Sequence, residues 1–341
     1  MTNELNQFFQ EMLPAIEAEM KAVLQADRRA NDDLFGMMHY HMGWADEQFQ
    51  PAHIKSGKRI RPILCLLACA AAGGDWHRAL PAAAAVEILH NFSLIHDDIE
   101  DASPTRRGRT TLWQIWGMEL AINCGDAMFA LAHLALNRLS AREVDAAIVV
   151  QAHRRFGETC VRLTQGQHAD MTFEKRDRVS VDEYIEMITG KTAILLSHCA
   201  ELGALVAGCD AETVAHYATF GRDLGLAFQV IDDILGVWGD EDLTGKSAIT
   251  DIATKKKTLP VLYGLAQDEG LRQLYQQPTA GEAFVQQVVE RLNQCGARDF
   301  ATAKASTYSH SASHHLEATN PTGPAALALQ QLTAMLLKRD F

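Results

Sequence analysis

The chain has 341 residues, 48% of them hydrophobic and 22% charged, which excludes wholesale disorder and supplies material for a large core. Against 43 Asp and Glu it carries 31 Lys and Arg, a formal charge of −12, so nucleic acid or an anionic membrane surface is not expected as the main partner, since either needs a basic patch. Seven cysteines, at 65, 69, 124, 160, 199, 209 and 295, stand singly among apolar residues, without zinc-site spacing or the density of a secreted scaffold. They read as reduced thiols of a cytoplasmic protein, and the first residues lack the basic and apolar regions of a secretory signal.

Taken in chain order, Leu5, Phe8, Phe9, Met12 and Leu13 recur at helical spacing and open the first helix. Met37-Met38-His39-Tyr40-His41-Met42 reads as core packing with two surface histidines. Ser56-Gly57 breaks the chain ahead of Lys58-Arg59-Ile60-Arg61. The apolar stretch from Pro62 to Gly74 falls short of the ~18 residues a membrane span needs. Ala82 to Ala85 favour helix, and further breaks come at Gly73-Gly74-Asp75, Ser103-Pro104, Gly190, Gly208, Gly236 to Gly245 and Asn320-Pro321-Thr322-Gly323-Pro324. Strand signals are almost absent and no repeat of solenoid length occurs. The pattern predicts an all-α protein, one domain over residues 1–341, with about ten to twelve helices in a single large bundle. The more polar segment 276–323 is expected at the periphery.

Chemistry concentrates in His96-Asp97-Asp98-Ile99-Glu100-Asp101, at the end of an apolar helix. Asp97 and Asp101, four apart, share a helical face and can grip one cation, with Asp98 on the flank. Oxygen-only ligands at this density suit Mg²⁺, which keeps waters and shares them with substrate phosphates. Alone, such a run is as easily a solvated helix end. A second pair, Asp232-Asp233, follows another apolar turn, with Gln229 one turn before Asp232. Basic clusters accompany both pairs: Lys58-Arg59-Ile60-Arg61, Arg106-Arg107-Gly108-Arg109, Lys191-Thr192, Lys246 and Lys255-Lys256-Lys257. Carboxylates for metal, Arg forks and Lys charges together form a pattern for a phosphate-bearing substrate. Arg59, Lys255 and Lys257 are expected to point outward.

These residues, in type, order and spacing from Gly57-Lys58-Arg59-Ile60-Arg61-Pro62 to about Tyr263, resemble the trans-prenyl diphosphate synthases, or polyprenyl synthetases. The resemblance implies an all-helical bundle around a central substrate cavity and a homodimer. It also implies Mg²⁺-dependent condensation of an allylic diphosphate with isopentenyl diphosphate. By that resemblance Asp97, Asp98 and Asp101 hold metal against the allylic diphosphate, and Asp232 and Asp233 form the second metal motif. Lys58, Arg61, His90 and Arg107 correspond to isopentenyl diphosphate ligands; Arg106, Lys191, Lys246 and Lys256 correspond to allylic diphosphate ligands. Thr192 and Gln229 correspond to polar groups beside the nascent carbocation, with Gln167 and Asp170 nearby. Gly236 departs from the family pattern, which has an acidic residue there. The third-metal shell then leans on Asp232 and Asp233, with Asp240 as a further candidate.

Product length is expected to depend on Phe92 and Ser93. Ser93 lies roughly 6 Å below Asp97 on nearly the same face, and its small side chain leaves the tunnel floor open. Phe92 lines the flank. An aromatic followed by a small residue resembles geranylgeranyl-type synthases, with a farnesyl product as the alternative. A terpene cyclase has no need of Lys58, Arg61 and His90, and a non-catalytic subunit could lose Asp97, Asp98 or Arg106. A His-Asp phosphohydrolase leaves Asp232-Asp233 without a role, and a di-iron bundle needs a second Glu-x-x-His besides Glu87 to His90. His310, His314 and His315 read as an exposed polar face rather than a metal site.

Overall fold

Helical spacing becomes helix almost throughout the computed structural model, which describes residues 4–25, 33–54, 57–239, 252–277 and 281–338. The helices are α1 (Glu4–Leu24), α2 (Asp33–His41), α3 (Ile60–Ala71), α4 (Leu80–Glu100), α5 (Leu112–Trp116), α6 (Met118–Asn137), α7 (Ala146–Lys175), α8 (Val181–Ile188), α9 (Ile194–Val206) and α10 (Ala211–Trp238). They continue as α11 (Leu259–Gln267), α12 (Glu269–Gln276), α13 (Glu282–Gln294), α14 (Ala297–Ala318) and α15 (Gly323–Leu337). The chain forms two compact units. One comprises Met1–Arg155, Leu202–Asp210 and Pro321–Leu329; the other comprises Phe156–Glu201, Ala211–Asn320 and Gln330–Phe341.

In the first unit α1 buries Leu5, Met12, Ile16, Met20 and Val23, a stripe at helical spacing. The α4 helix is buried on nearly every side from Leu80 to Leu89. Arg59 is buried rather than outward, at 5% exposure. It donates from Nε to Glu17 at 2.9 Å and from Nη1 to Glu87 at 2.8 Å, tying α1 and α4 to the turn before α3. A charge removed from water at that depth persists only when paired, and two carboxylates supply the pairing. His39 is also buried, edge-on to Trp44, and is not a surface histidine.

A β-hairpin that the sequence did not announce follows α4. Thr105–Arg106 (β1) pairs with Arg109–Thr110 (β2), and its two-residue loop puts Arg107 at φ 52° and Gly108 at φ 76°. Two consecutive positive φ values are what a type I′ loop requires. Arg109 anchors this hairpin: it stacks on Tyr40 at 3.6 Å and donates to the carbonyls of Tyr40 and Ala45 at 2.6 and 3.0 Å. The segment Met118–Arg142, which contains α6, is long and apolar enough to cross a membrane by length and composition. It packs along α4 on one face, but only 39% of its apolar window is buried and Leu120 and Leu134 stay exposed.

In the second unit α10 and α14 pack along their lengths. Ala301 and Ala305 of α14 join Phe173, Tyr184, Ile188, Leu226, Val230, Ile234 and Leu259 in one core cluster. The described part of 276–323 is mostly exposed or half-buried, as expected of a peripheral segment, but its long helix α14 sends one buried stripe into the core. The alanines at 297, 301, 305 and 312 are small enough to bury a helix whose other faces are polar. Lys255 and Lys257 also turn inward. Lys257 donates to the carbonyls of Phe173, at 2.6 Å and beside the Arg176 N–H at 3.2 Å, and of Arg176, where α7 ends. Lys255 reaches the carbonyls of Tyr275, at 3.1 Å, and Gln277 at the end of α12.

Candidate active site

The end of α4 concentrates charge in the first unit. Asp101 is the residue after the helix, its N–H bonded to the Asp97 carbonyl at 2.9 Å, and Pro104 follows. Arg106, brought back by the hairpin, forks onto two carboxylates: Nη2 to Asp97 Oδ2 at 3.0 Å and Nε to Asp98 Oδ1 at 2.6 Å. Burial pushes Asp98 up to about 6; Arg106 opposes that shift, and Asp97 and Asp101 add to it. Three carboxyl groups gathered at one helix end call for more positive charge than one guanidinium supplies. The donor set fits Mg²⁺: all oxygen, with one or two carboxylates available and the remaining positions left to water and phosphate. Among the described residues no three His, Cys, Asp or Glu side chains form a ready-made cage.

Near this fork Arg61, His90 and Arg107 form a cationic cluster, and Arg106 is among the charges that act on His90. Arg61 Nη1 is 3.2 Å from His90 Nε2. A guanidinium only donates, so His90 accepts with Nε2 and carries its proton on Nδ1. Burial first, then Arg61, Arg107 and Arg106, pushes His90 well below its ordinary value, so the ring is neutral. The Arg107 guanidinium rests on Gly57, whose φ is +124°; a Cβ there would lie 3.1 Å from its Cζ. Lys58 is exposed at the mouth of this turn. His41, expected on the surface, lines a cavity with Asp98, Arg106, Arg107 and Arg109.

The second unit holds a separate network. Between α8 and α9 the chain makes one wide π turn, Thr189–Ala193, that carries Lys191 and Thr192. Such turns insert one residue into a helix and recur at functional sites. Gly166 of α7 makes room for it: a Cβ there would stand 2.2 Å from the Lys191 nitrogen. Lys191 then forms a short ion pair with Asp170, one turn along α7 from Gly166. Thr192 donates to Gln229 Oε1 at 3.0 Å, and Gln229 Nε2 donates to Asp233 Oδ1 at 3.1 Å.

Asp233 is buried at 3% exposure, and its Oδ2 accepts from the Tyr184 hydroxyl at 2.6 Å and the Leu259 N–H at 3.1 Å. Burial nonetheless pushes it up to about 6, with Tyr184, Leu259, Gln229 and Lys256 opposing. Asp232 and Gln167 are partly exposed, and Lys256 is exposed. Lys246 and Asp240 lie outside the described residues. Tyr184 and the Leu259 N–H were absent from the sequence reading, because nothing local marks a tyrosine or a backbone amide as a carboxylate's partner.

The two residues expected to set product length differ in direction. Phe92 packs against Phe129 of α6 with ring centroids 5.1 Å apart and edge-on to His96 at 4.8 Å. Ser93 turns its hydroxyl back to the His90 carbonyl at 2.8 Å and adds little bulk. His96 faces Ile122 and Asp126 of α6, at 3.3 and 3.6 Å. His315, from the supposed exposed face, meets His216 of α10, with Nδ1 atoms 2.9 Å apart.

Residues 44–292 match the polyprenyl synthetase family, well over half of the chain. The chain belongs to that family. It is 44% identical over 230 residues to a (2E,6E)-farnesyl diphosphate synthase of Mycobacterium tuberculosis, covering 67% of this chain and 63% of that protein. The match thus spans less than two thirds of that relative's length. Over 274 residues it is 43% identical to a geranylgeranyl diphosphate synthase of the same organism, covering 79% of this chain and 77% of that one. A crystal structure of a polyprenyl synthetase from Streptomyces coelicolor A3(2) is similar at a TM-score of 0.87 and 32% identity, covering 98% of this chain and 99% of that one. Polyprenyl synthetases of this family use a divalent metal.

Proposed function

We propose that this polyprenyl synthetase condenses an allylic diphosphate head to tail with isopentenyl diphosphate, releasing diphosphate. The observation that carries the proposal is the Arg106 fork on Asp97 and Asp98 near the Arg61, His90 and Arg107 cluster. One group offers carboxylates to a metal and the other offers donors to an anion. Asp97, Asp98 and Asp101 would hold Mg²⁺ for the allylic diphosphate, and Asp232 and Asp233 would form the second metal motif. Bound Mg²⁺ would supply positive charge to the departing diphosphate oxygens. Arg106, Lys191, Lys246 and Lys256 neutralise the same group as the allylic C–O bond breaks. Thr192 and Gln229 present polar oxygens to the carbocation. Lys58, Arg61, His90 and Arg107 hold isopentenyl diphosphate, whose double bond forms the new C–C bond. The final proton leaves to the released diphosphate. One catalytic domain is proposed from the family match, which runs through both units.

The proposed product is geranylgeranyl diphosphate, since Ser93 adds little bulk below Asp97. A farnesyl product is the second reading, favoured by the equal resemblance to a farnesyl diphosphate synthase. A homodimer is proposed: Leu120 at 53%, Leu134 at 59% and Val150 at 70% exposure form apolar positions on α6 and the start of α7 that a second copy would cover. A cytoplasmic location is proposed from the cysteines, of which Cys69, Cys124 and Cys160 are pushed up to about 12 chiefly by burial.

Incubation of the purified protein with Mg²⁺, isopentenyl diphosphate and each of dimethylallyl, geranyl and farnesyl diphosphate, with products identified by mass, tests the reading. A C20 chain supports it in full, a C15 chain keeps the reaction and discards the open floor, and no condensation with any primer rejects it.

A further inference from the structure

His41 has no role in the reaction described so far, yet it is the last residue of α2 and lines the cavity shared by Asp98, Arg106, Arg107 and Arg109. Its Nε2 is sealed from solvent and has no hydrogen-bond partner. Buried polar atoms are nearly always bonded, so an orphan beside a cluster of guanidinium groups needs an explanation. Arginines offer only donors, and a neutral imidazole can accept from them or donate elsewhere. Burial first, then Arg107, Arg106 and Arg59, pushes His41 down to about 3, and the Asn91 side chain opposes this only in part. The ring is therefore a neutral hydrogen-bonding group in a pocket where every neighbouring charge but Asp98 is positive.

We propose that His41 is a further binding residue of the isopentenyl diphosphate site, donating an imidazole N–H to a diphosphate oxygen. The inference rests on the isopentenyl diphosphate reading above and adds a residue to it. A diphosphate held by Arg107 and Arg61 presents more oxygen lone pairs than two guanidinium forks satisfy. His90 cannot meet that demand through Nε2, which already accepts from Arg61. His41 carries one proton, is positioned by α2 and the hairpin, and is held uncharged, so it gives direction to the anion without adding to the repulsion among the arginines.

The test compares wild type with His41→Gln, which keeps a neutral donor, and His41→Phe, which keeps a ring without one. KM is measured separately for each substrate. The expected result for His41→Phe is a KM for isopentenyl diphosphate raised about tenfold or more, the size of one lost hydrogen bond to a charged group. The allylic KM and kcat stay within about twofold, and His41→Gln recovers most of the loss. Equal weakening of both substrates, or an unchanged isopentenyl diphosphate KM, overturns the proposal. Should His41→Phe melt far below wild type, His41→Met replaces it, and the rise in melting temperature with added isopentenyl diphosphate reads affinity without turnover. Absence of condensation by the wild type rejects the proposed function, whereas a normal wild type with an indifferent His41 rejects this inference alone.

Discussion

Gln229 and Asp233 stand one turn apart on α10 and are joined by a hydrogen bond from Nε2 to Oδ1 at 3.1 Å. Thr192 on one side and Tyr184 with the Leu259 N–H on the other complete a chain in which Asp233 accepts three hydrogen bonds. Even so, burial raises its proton affinity to about 6, against ~3.9 for an unfolded aspartate. The stability carried by that proton is complete below about pH 4 and is lost as pH rises through about 6.

Asp233→Asn should therefore melt higher than the parent at pH 8, with the difference closing towards pH 4. The gain is at most about 3 kcal/mol. Reversal of the Gln229 amide would present its oxygen to the new Asn nitrogen, with Thr192 then accepting. Turnover should fall if Asp233 belongs to the second metal motif, as proposed. Thermal melts at the two pH values decide the matter, and an equal shift at both would contradict the burial argument.

As a proposed Mg²⁺ ligand, Asp98, pushed up to about 6 chiefly by burial, would let protons compete with the metal. The Mg²⁺ concentration for half-maximal rate should rise as pH drops below about 6 and stay flat above pH 7, with chelation abolishing turnover. Titrations at pH 5.5 and 7.5 check this. The same half-saturating concentration at both would remove Asp98 from the metal site.

The buried Arg59 depends on Glu87, which is 5% exposed at its side chain, and on Glu17, which is 30% exposed. Glu87→Gln leaves the guanidinium half-paired at depth and should cost about 3–5 kcal/mol in urea unfolding. Glu17→Gln should cost less, since water can reach its position. Similar losses for both would show that depth is not the deciding factor.

Ser93→Phe places bulk one turn below Asp97, where only a hydroxyl turned to the His90 carbonyl now stands. Product chains should shorten from the proposed C20 towards C15, with the rate preserved on short primers. Mass analysis of the products checks this, and an unaltered distribution would move the floor elsewhere, with Phe92 and Phe129 next in question.

The helical fold was legible because periodicity is local, and so were both aspartate pairs and the Arg106-Arg107 dipeptide, each contiguous in sequence. Contacts between distant elements were not. Asp233 meets Tyr184 across 49 positions, and Lys191 meets Asp170 across 21. Arg107-Gly108 hid a hairpin because arginine is an unusual residue for a left-handed loop position. His39 and His41 looked solvated because both are polar, whereas their helix ends against Trp44 and the cationic cavity. The buried stripe of α14 was obscured because alanine is a weak hydrophobic signal.

The wide turn at Thr189–Ala193 has a consequence for how the chain tolerates change in length. Each helical residue advances about 100°, so one extra residue shifts the phase of everything beyond it. Lys191 meets Asp170 on α7 while Thr192 meets Gln229 on α10, directions set within the widened turn. Deleting any one residue between 189 and 193 would restore ordinary helix and, with α9 kept nearly in phase, swing Lys191 or Thr192 off its partner. Insertions that surface loops absorb freely would here exchange a buried face for an exposed one, which makes these five residues a fixed length standard for the second unit.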